Sequence, residues 1–114
     1  MKTLEGQLEE LKRFYPDAKL IPEGGINFIY IPELILPLGC TPDKIEALLC
    51  PILRDGYPTR LFYSQKIAGI PAKNWNGNIR ICDRSWVSYS WKSRDGMELL
   101  EMVRYHLSTL TLTK

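Results

Sequence analysis

Thiol and amide side chains are the groups most capable of chemistry in the stretch from Gly56 to Trp91. Cys82 follows a polar segment, Asn74–Asn78, that is predicted to be an irregular loop and carries Asn74 and Asn76. A thiolate is a strong nucleophile, and an asparagine amide can donate a hydrogen bond to an oxyanion that forms during acyl transfer. The segment could therefore deliver a reactive cysteine beside amide donors, or it could be an ordinary hairpin.

Charged residues on both sides of Cys82 bear on its reactivity. Arg80 and Arg84 flank it and would lower the pKa of its thiol if both lie near the sulfur, whereas Asp83 acts in the opposite direction. The alternative is that Cys82 is a buried thiol at a strand end, as free cysteines often are. Both interpretations stay open on these residues alone.

The chain has three cysteines, an odd number without the spacing of a disulfide framework, which predicts reduced thiols. We expect Cys40 to be a partly exposed, inert loop thiol and Cys50 a small core residue. The three cysteines together with His106 could formally bind a zinc ion. The close Cys-x2–4-Cys pairing typical of such sites is missing, so we expect neither metal nor cofactor. His106 is predicted at the surface or rim of the last helix.

The composition is that of an ordinary globular protein. The chain has 114 residues, 45% of them hydrophobic and 25% charged, which predicts one domain over residues 1–114. A net charge of +2 without a Lys/Arg cluster argues against a nucleic-acid surface. No apolar run approaches about 18 residues, and the N-terminus is acidic and periodic, unlike a signal peptide. We therefore expect a cytoplasmic protein without a membrane span.

Hydrophobic periodicity predicts a helix near each end of the chain. The first spans residues 2–15, with an apolar stripe at Leu4, Leu8 and Leu11, and ends before Pro16. Asp95 and Glu98 form a predicted capping box for the last helix. Its apolar stripe comprises Met97, Leu100, Val103, Leu107 and Leu110.

The intervening residues predict an antiparallel meander of about four strands. Ile26–Leu36 is interrupted by Pro32, which favours two short strands or one bulged edge strand. Ile45–Ile52 fits a helix or a strand, and we favour the strand because it completes a meander. The other segments with strand character are Lys19–Ile21, Leu61–Tyr63 and Trp86–Trp91. The fold class is therefore α+β, an antiparallel sheet whose apolar face is covered by helices. We expect at least two tryptophans to be mostly buried, with Trp86 and Trp91 the best candidates.

This order of elements resembles the ubiquitin-conjugating (UBC) fold, and in particular the divergent prokaryotic ubiquitin-conjugating-like proteins grouped as prokaryotic family E. The resemblance rests on a Tyr57-Pro58 turn before the aromatic Leu61–Tyr63 strand, on Pro71 and the Asn-rich segment, and on Trp91 and Asp95 before the closing helix. It covers residues 4 to about 110. It implies a UBC-like domain with an irregular active-site segment between sheet and last helix.

Two functions follow from the resemblance. In the first, the protein is a bacterial ubiquitin-conjugating-like transferase that receives a ubiquitin-like modifier from an adenylating activating enzyme. Cys82 then carries the thioester, and Asn74 or Asn76 stabilises the oxyanion. In the second, it is a non-catalytic UBC-like module that docks partners in the same kind of system. In ubiquitin-conjugating enzymes a His-Pro-Asn motif precedes an Ile-Cys pair that carries the thioester. Ile81-Cys82 with an upstream asparagine therefore favours the first function, and the absence of His-Pro before that asparagine favours the second.

Overall fold

The fold combines two helices with a six-stranded antiparallel sheet in a computed structural model that describes residues 2–113. The chain begins with a helix, forms all six strands and ends with the second helix. The elements are α1 (Leu4–Lys12), β1 (Lys19–Glu23), β2 (Ile26–Ile35), β3 (Lys44–Cys50), β4 (Arg60–Tyr63), β5 (Trp75–Ile81), β6 (Arg84–Tyr89) and α2 (Leu99–Thr109).

The strands follow the order β1-β2-β3-β4-β6-β5 in the sheet. The first four strands form a meander, in which Ile29 pairs with Leu49 and Leu49 with Leu61. The chain then leaves the sheet and returns as a β5–β6 hairpin, and β6 pairs with β4 through Tyr63 and Val87. Strands β1 and β5 are therefore the two edges, and β3 and β4 lie at the centre.

Alternation along the central strands divides the core between the two faces of the sheet. Leu49 and Leu61 point to the face that both helices cover, where they join Leu11 of α1 and Val103 of α2 in a helix-side core. The opposite face carries a smaller second cluster, built from Phe28, Leu48, Cys50, Phe62, Ile81 and Trp86. Because a strand directs successive side chains to opposite faces, strands buried on both sides are nearly continuous in apolar residues.

The two helices begin at well-formed caps. Thr3 Oγ1 accepts a hydrogen bond from Gly6 N (3.1 Å) at α1. At α2, Glu98 and Glu101 form a capping box, in which each side chain accepts a hydrogen bond from the other residue's backbone N–H. Glu98 N donates to Glu101 Oε1 (3.1 Å). The prediction that Asp95 and Glu98 cap this helix is wrong by one turn, because the chain stays irregular until Glu98.

The predicted helical stripes are confirmed in part. The first helix spans Leu4–Lys12 rather than residues 2–15, and Met97 and Leu110 are buried but lie outside α2. Leu11 and Val103 are fully buried in the helix-side core, whereas the other predicted side chains within the two helices are only partly buried against it: Leu4, Leu8, Leu100 and Leu107. The buried face of α2 consists instead of Leu99, Met102, Val103, His106 and Thr109. Trp86 is fully buried in the second cluster. Trp75 and Trp91 are partly buried against the helix-side core.

The prediction of a strand at β3 is confirmed. The predicted edge position of the Ile26–Leu36 strand and the predicted loop at Asn74–Asn78 are wrong. Residues Lys44–Cys50 form a strand, as favoured over a helix. Residues Ile26–Ile35 form one strand inside the sheet, with the expected bulge between Ile31 and Leu34. The Asn-rich segment, expected to be a loop, is edge strand β5. The sheet thus has six strands where about four were expected. Among residues 2–113 no helix is long and apolar enough to cross a membrane.

Candidate functional site

Cys82 occupies the turn of the β5–β6 hairpin. The strands pair up to Ile81 and Arg84, so Cys82 and Asp83 form a two-residue loop. Both have positive φ values, 55° and 61°, which is the geometry of a type I′ turn, the type whose twist matches that of the flanking strands. The thiol is therefore carried by a tight turn, and Cys82 is the only partly exposed cysteine of the three in the described chain.

Burial and two nearby carboxylates raise the pKa of the Cys82 thiol. Burial has the largest effect on this pKa, and Glu23 raises the pKa further through its charge and a hydrogen bond to the thiol. Asp83 acts in the same direction. Glu23 also accepts a hydrogen bond from Cys82 N to Oε2 (2.8 Å), which fixes the carboxylate beside the turn. Because the thiolate is the nucleophile, this environment reduces the fraction of Cys82 that is reactive near neutral pH.

The arginines expected to activate Cys82 do not do so. Arg84 turns to Glu46 instead, with Nη1 donating to Oε2 (3.1 Å) and Nη2 to Oε1 (3.3 Å). Tyr30 donates a hydrogen bond to the same carboxylate. Arg80 is an exposed residue of β5 and is not among the charges that shift the pKa of the thiol. The predicted lowering of the Cys82 pKa is therefore wrong in sign.

The two candidate oxyanion donors lie at the far end of the hairpin from Cys82. Asn76 pairs with Ser88, six residues along the chain from the turn, and a strand rises about 3.3 Å per residue. The separation is thus on the order of 20 Å. Asn74 precedes β5, and its carbonyl accepts a hydrogen bond from Ser90 N (3.0 Å). Cys82, Asn74 and Asn76 do not form one site in this structure.

The remaining thiols are buried on opposite faces of the sheet. Cys50 belongs to the second cluster, as expected of a core residue. Cys40, expected to be partly exposed, is 7% exposed and packs in the helix-side core. Burial raises the pKa of both thiols. Within residues 2–113 no three His, Cys, Asp or Glu side chains cluster in a way that could hold a metal ion.

A buried polar network joins the segment before β4 to α2, and the sequence did not reveal it. Thr59 Oγ1 lies 2.8 Å from His106 Nε2 and donates to Ser93 Oγ (2.9 Å). Ser93 Oγ also accepts from Thr59 N (3.0 Å). His106 is 4% exposed, so its predicted surface position is wrong, and burial lowers its pKa to about 4. Thr59, two residues after Tyr57, is thereby tied to Ser93, two residues after Trp91.

A second polar row lies on the opposite face, at the end of the sheet where β4 begins. Arg60 Nη2 donates to Asn76 Oδ1 (2.5 Å), and Ser90 Oγ donates to the same oxygen (3.2 Å). Tyr57 completes the row: its hydroxyl donates to Ser90 Oγ (3.2 Å), and its ring lies under the guanidinium, 4.2 Å from Arg60 Cζ. Asn76 is therefore a hydrogen-bond partner of Arg60, a role that residues 16 positions apart do not disclose in sequence.

Comparison with known proteins adds no assignment to this geometry. No family model, curated protein or solved structure matches the chain.

Proposed function

We propose that this chain is a non-catalytic UBC-like binding module that docks partners of a ubiquitin-like modification system. The observation that carries the choice is the environment of Cys82. Burial, followed by Glu23 and Asp83, raises the pKa of its thiol, and the two candidate amide donors lie on the order of 20 Å away. A thioester carrier needs the reverse arrangement, a thiolate-favouring environment with an oxyanion donor in contact.

The UBC-like fold in this proposal is supported by contacts between two of the chain segments on which the resemblance rests. The Tyr57-Pro58 turn and the junction from Trp91 to α2 are far apart in sequence. Thr59 and Ser93 bring them together in a buried network. Buried polar groups that are fully paired fix the relative position of the segments that carry them.

Thioester transfer is the second candidate, and one observation favours it. Cys82 is the partly exposed thiol, whereas Cys40 and Cys50 are buried. An incoming modifier could therefore reach Cys82 more readily than the other two sulfurs, and partner binding could reposition Glu23. The two candidates share the same partners, a ubiquitin-like modifier and an adenylating activating enzyme. They differ in whether a covalent bond forms.

The test is incubation of the protein with a bacterial ubiquitin-like modifier, its activating enzyme and ATP, followed by non-reducing electrophoresis. We expect no adduct that a reductant removes. Isothermal titration calorimetry on the same three proteins should instead detect a non-covalent complex with the modifier or the enzyme.

A reducible adduct would decide for thioester transfer if Cys82→Ser abolishes it while the matched Cys50→Ser leaves it intact. The absence of both adduct and complex would overturn the binding-module proposal.

A further inference from the structure

Arg60 is a buried positive charge without a carboxylate partner. The residue is 7% exposed, and none of the ion pairs formed within residues 2–113 includes its guanidinium. Its Nε is buried and has no hydrogen-bond partner among these residues. Arginine does not deprotonate in proteins, so this charge persists. Charged groups at such burial are almost always paired, because removing a charge from water is costly.

The groups in direct contact with the guanidinium are neutral, and the charges of Asp55 and Arg54 act on it from farther away in opposite directions. Asn76 Oδ1 accepts from Nη2 (2.5 Å), and the rings of Tyr57 and Phe62 lie 4.2 and 5.5 Å from Cζ. These contacts satisfy part of the donor fork and hold its plane over an aromatic surface. The aromatic rings offset part of the charge, but no carboxylate pairs with it, and Nε has no hydrogen-bond partner among residues 2–113.

The local charge balance indicates how much negative charge the site would accept. Arg54 lies over the same Phe62 ring (5.8 Å), but its Nη1 is paired with Asp55 Oδ2 (3.0 Å). One uncompensated positive charge, that of Arg60, therefore remains. A carboxylate, with a single charge and two oxygens spaced for a guanidinium fork, matches it. A doubly charged phosphate would leave an excess negative charge beside a buried side chain.

We propose that Arg60, oriented by Tyr57 and Asn76, is a binding site for one carboxylate group. Tyr57 and Asn76, which contact the guanidinium, are themselves only partly buried, so solvent reaches the side chains that hold it. A carboxylate entering at this end of the sheet would pair with the open part of the fork. The inference rests on Arg60 and its contacts, not on Cys82 or on the function proposed above, and it is tested without any modifier or activating enzyme.

The first experiment follows the Arg60 Nε–H resonance by nuclear magnetic resonance, with Arg60→Lys used to assign it. Sodium acetate is titrated against sodium chloride at matched ionic strength, and sodium phosphate forms a third arm. We expect a saturable shift with acetate in the millimolar range and a weaker response to phosphate. A response to acetate that does not saturate, or that chloride reproduces, would overturn the proposal.

A second variant supplies the carboxylate from within the protein. Asn76→Asp places an anion at the atom that already contacts Arg60 Nη2, so the acetate response should fall at least about ten-fold and the unfolding temperature should not decrease. Asn74→Asp is the matched control: it makes the same change of charge at an exposed neighbouring residue and should retain the acetate response. Retention of the full response in Asn76→Asp would show that acetate does not bind at Arg60.

Discussion

At the scale of single residues, exposure and thiolate fraction decide the reactivity of the three cysteines. Cys82 is partly exposed and should react with iodoacetamide before Cys40 and Cys50. Its rate should nevertheless be below that of a free cysteine, because burial and, after it, Glu23 raise the pKa of the thiol. Glu23→Gln should increase the labelling rate roughly two- to ten-fold near neutral pH, as measured by mass spectrometry of the intact protein.

The matched control is Glu33→Gln, since Glu33 is exposed and pairs with Lys44 away from the thiol. It should leave the rate unchanged. An equal acceleration in both variants, or faster labelling of Cys40 than of Cys82, would contradict the pKa assignment.

The features that control these residues come from partners distant in sequence, which explains what the sequence did and did not predict. Burial of Cys50 followed from its apolar neighbours. The effect of Glu23 on Cys82 did not, because 59 residues separate the two and only the folded sheet brings them together. His106 was missed for a related reason: its buried partners, Thr59 and Ser93, lie in segments without regular periodicity.

At the scale of elements, burial of the helix stripes against the sheet makes α1 a structural part of the fold. Leu11 is fully buried in the helix-side core, and Leu11→Ala removes buried methyl groups and leaves a cavity. We expect it to lower the free energy of unfolding by about 2–5 kcal/mol in urea denaturation. Leu38→Ala, the same substitution at a residue 104% exposed, should stay within about 0.5 kcal/mol. Equal effects of the two substitutions would mean that α1 is not docked on the sheet.

Elements with strong apolar periodicity were predictable, and the edge strand was not. Both helices and the central strands carry continuous or periodic apolar residues because they are buried. Strand β5 contains Asn76, Gly77 and Asn78, and most of its side chains are exposed or only partly buried. Its turn, Cys82-Asp83, adopts a geometry usually signalled by Asn-Gly or Asp-Gly. The pairing of β5 with β6 therefore outweighs a local sequence that favours a loop.

At the scale of the whole molecule, long-range polar contacts hold the two ends of the sheet and the two helices in one structure. The hydrogen bond from Cys82 N to Glu23 (2.8 Å) joins the β5–β6 turn to the end of β1, although β1 and β5 are opposite edges. The sheet must curl for these edges to meet. The curl explains how Phe62 and Trp86 are fully buried on the face that no helix covers. Burial of the second cluster therefore depends on the curl of the sheet as well as on its strand pairing.

The buried His106 makes the stability of this structure depend on pH. Burial, with a smaller effect from the charge of Arg60, lowers the pKa of His106 from 6.5 to about 4. The unfolded chain takes up a proton at this side chain near its ordinary pKa, whereas the folded chain resists protonation until about pH 4. In that window the unfolded state binds more protons, so stability is complete above about pH 6.5 and decreases as the pH falls towards 4. The loss by the end of the window is about 3 kcal/mol.

Urea unfolding of the parent protein and of His106→Gln at about pH 7.5 and about pH 4.5 separates this effect from the titration of carboxylates, which both proteins share. The parent should be the more stable at the higher pH, because its imidazole fits the pocket beside Thr59. Its advantage should shrink by about 2–3 kcal/mol at the lower pH, since only the parent must exclude a proton from a buried site. A difference in stability that stays constant between the two pH values would mean that His106 ionises as freely in the folded protein as in the unfolded chain. In that case the Thr59–Ser93–His106 network would be open to water.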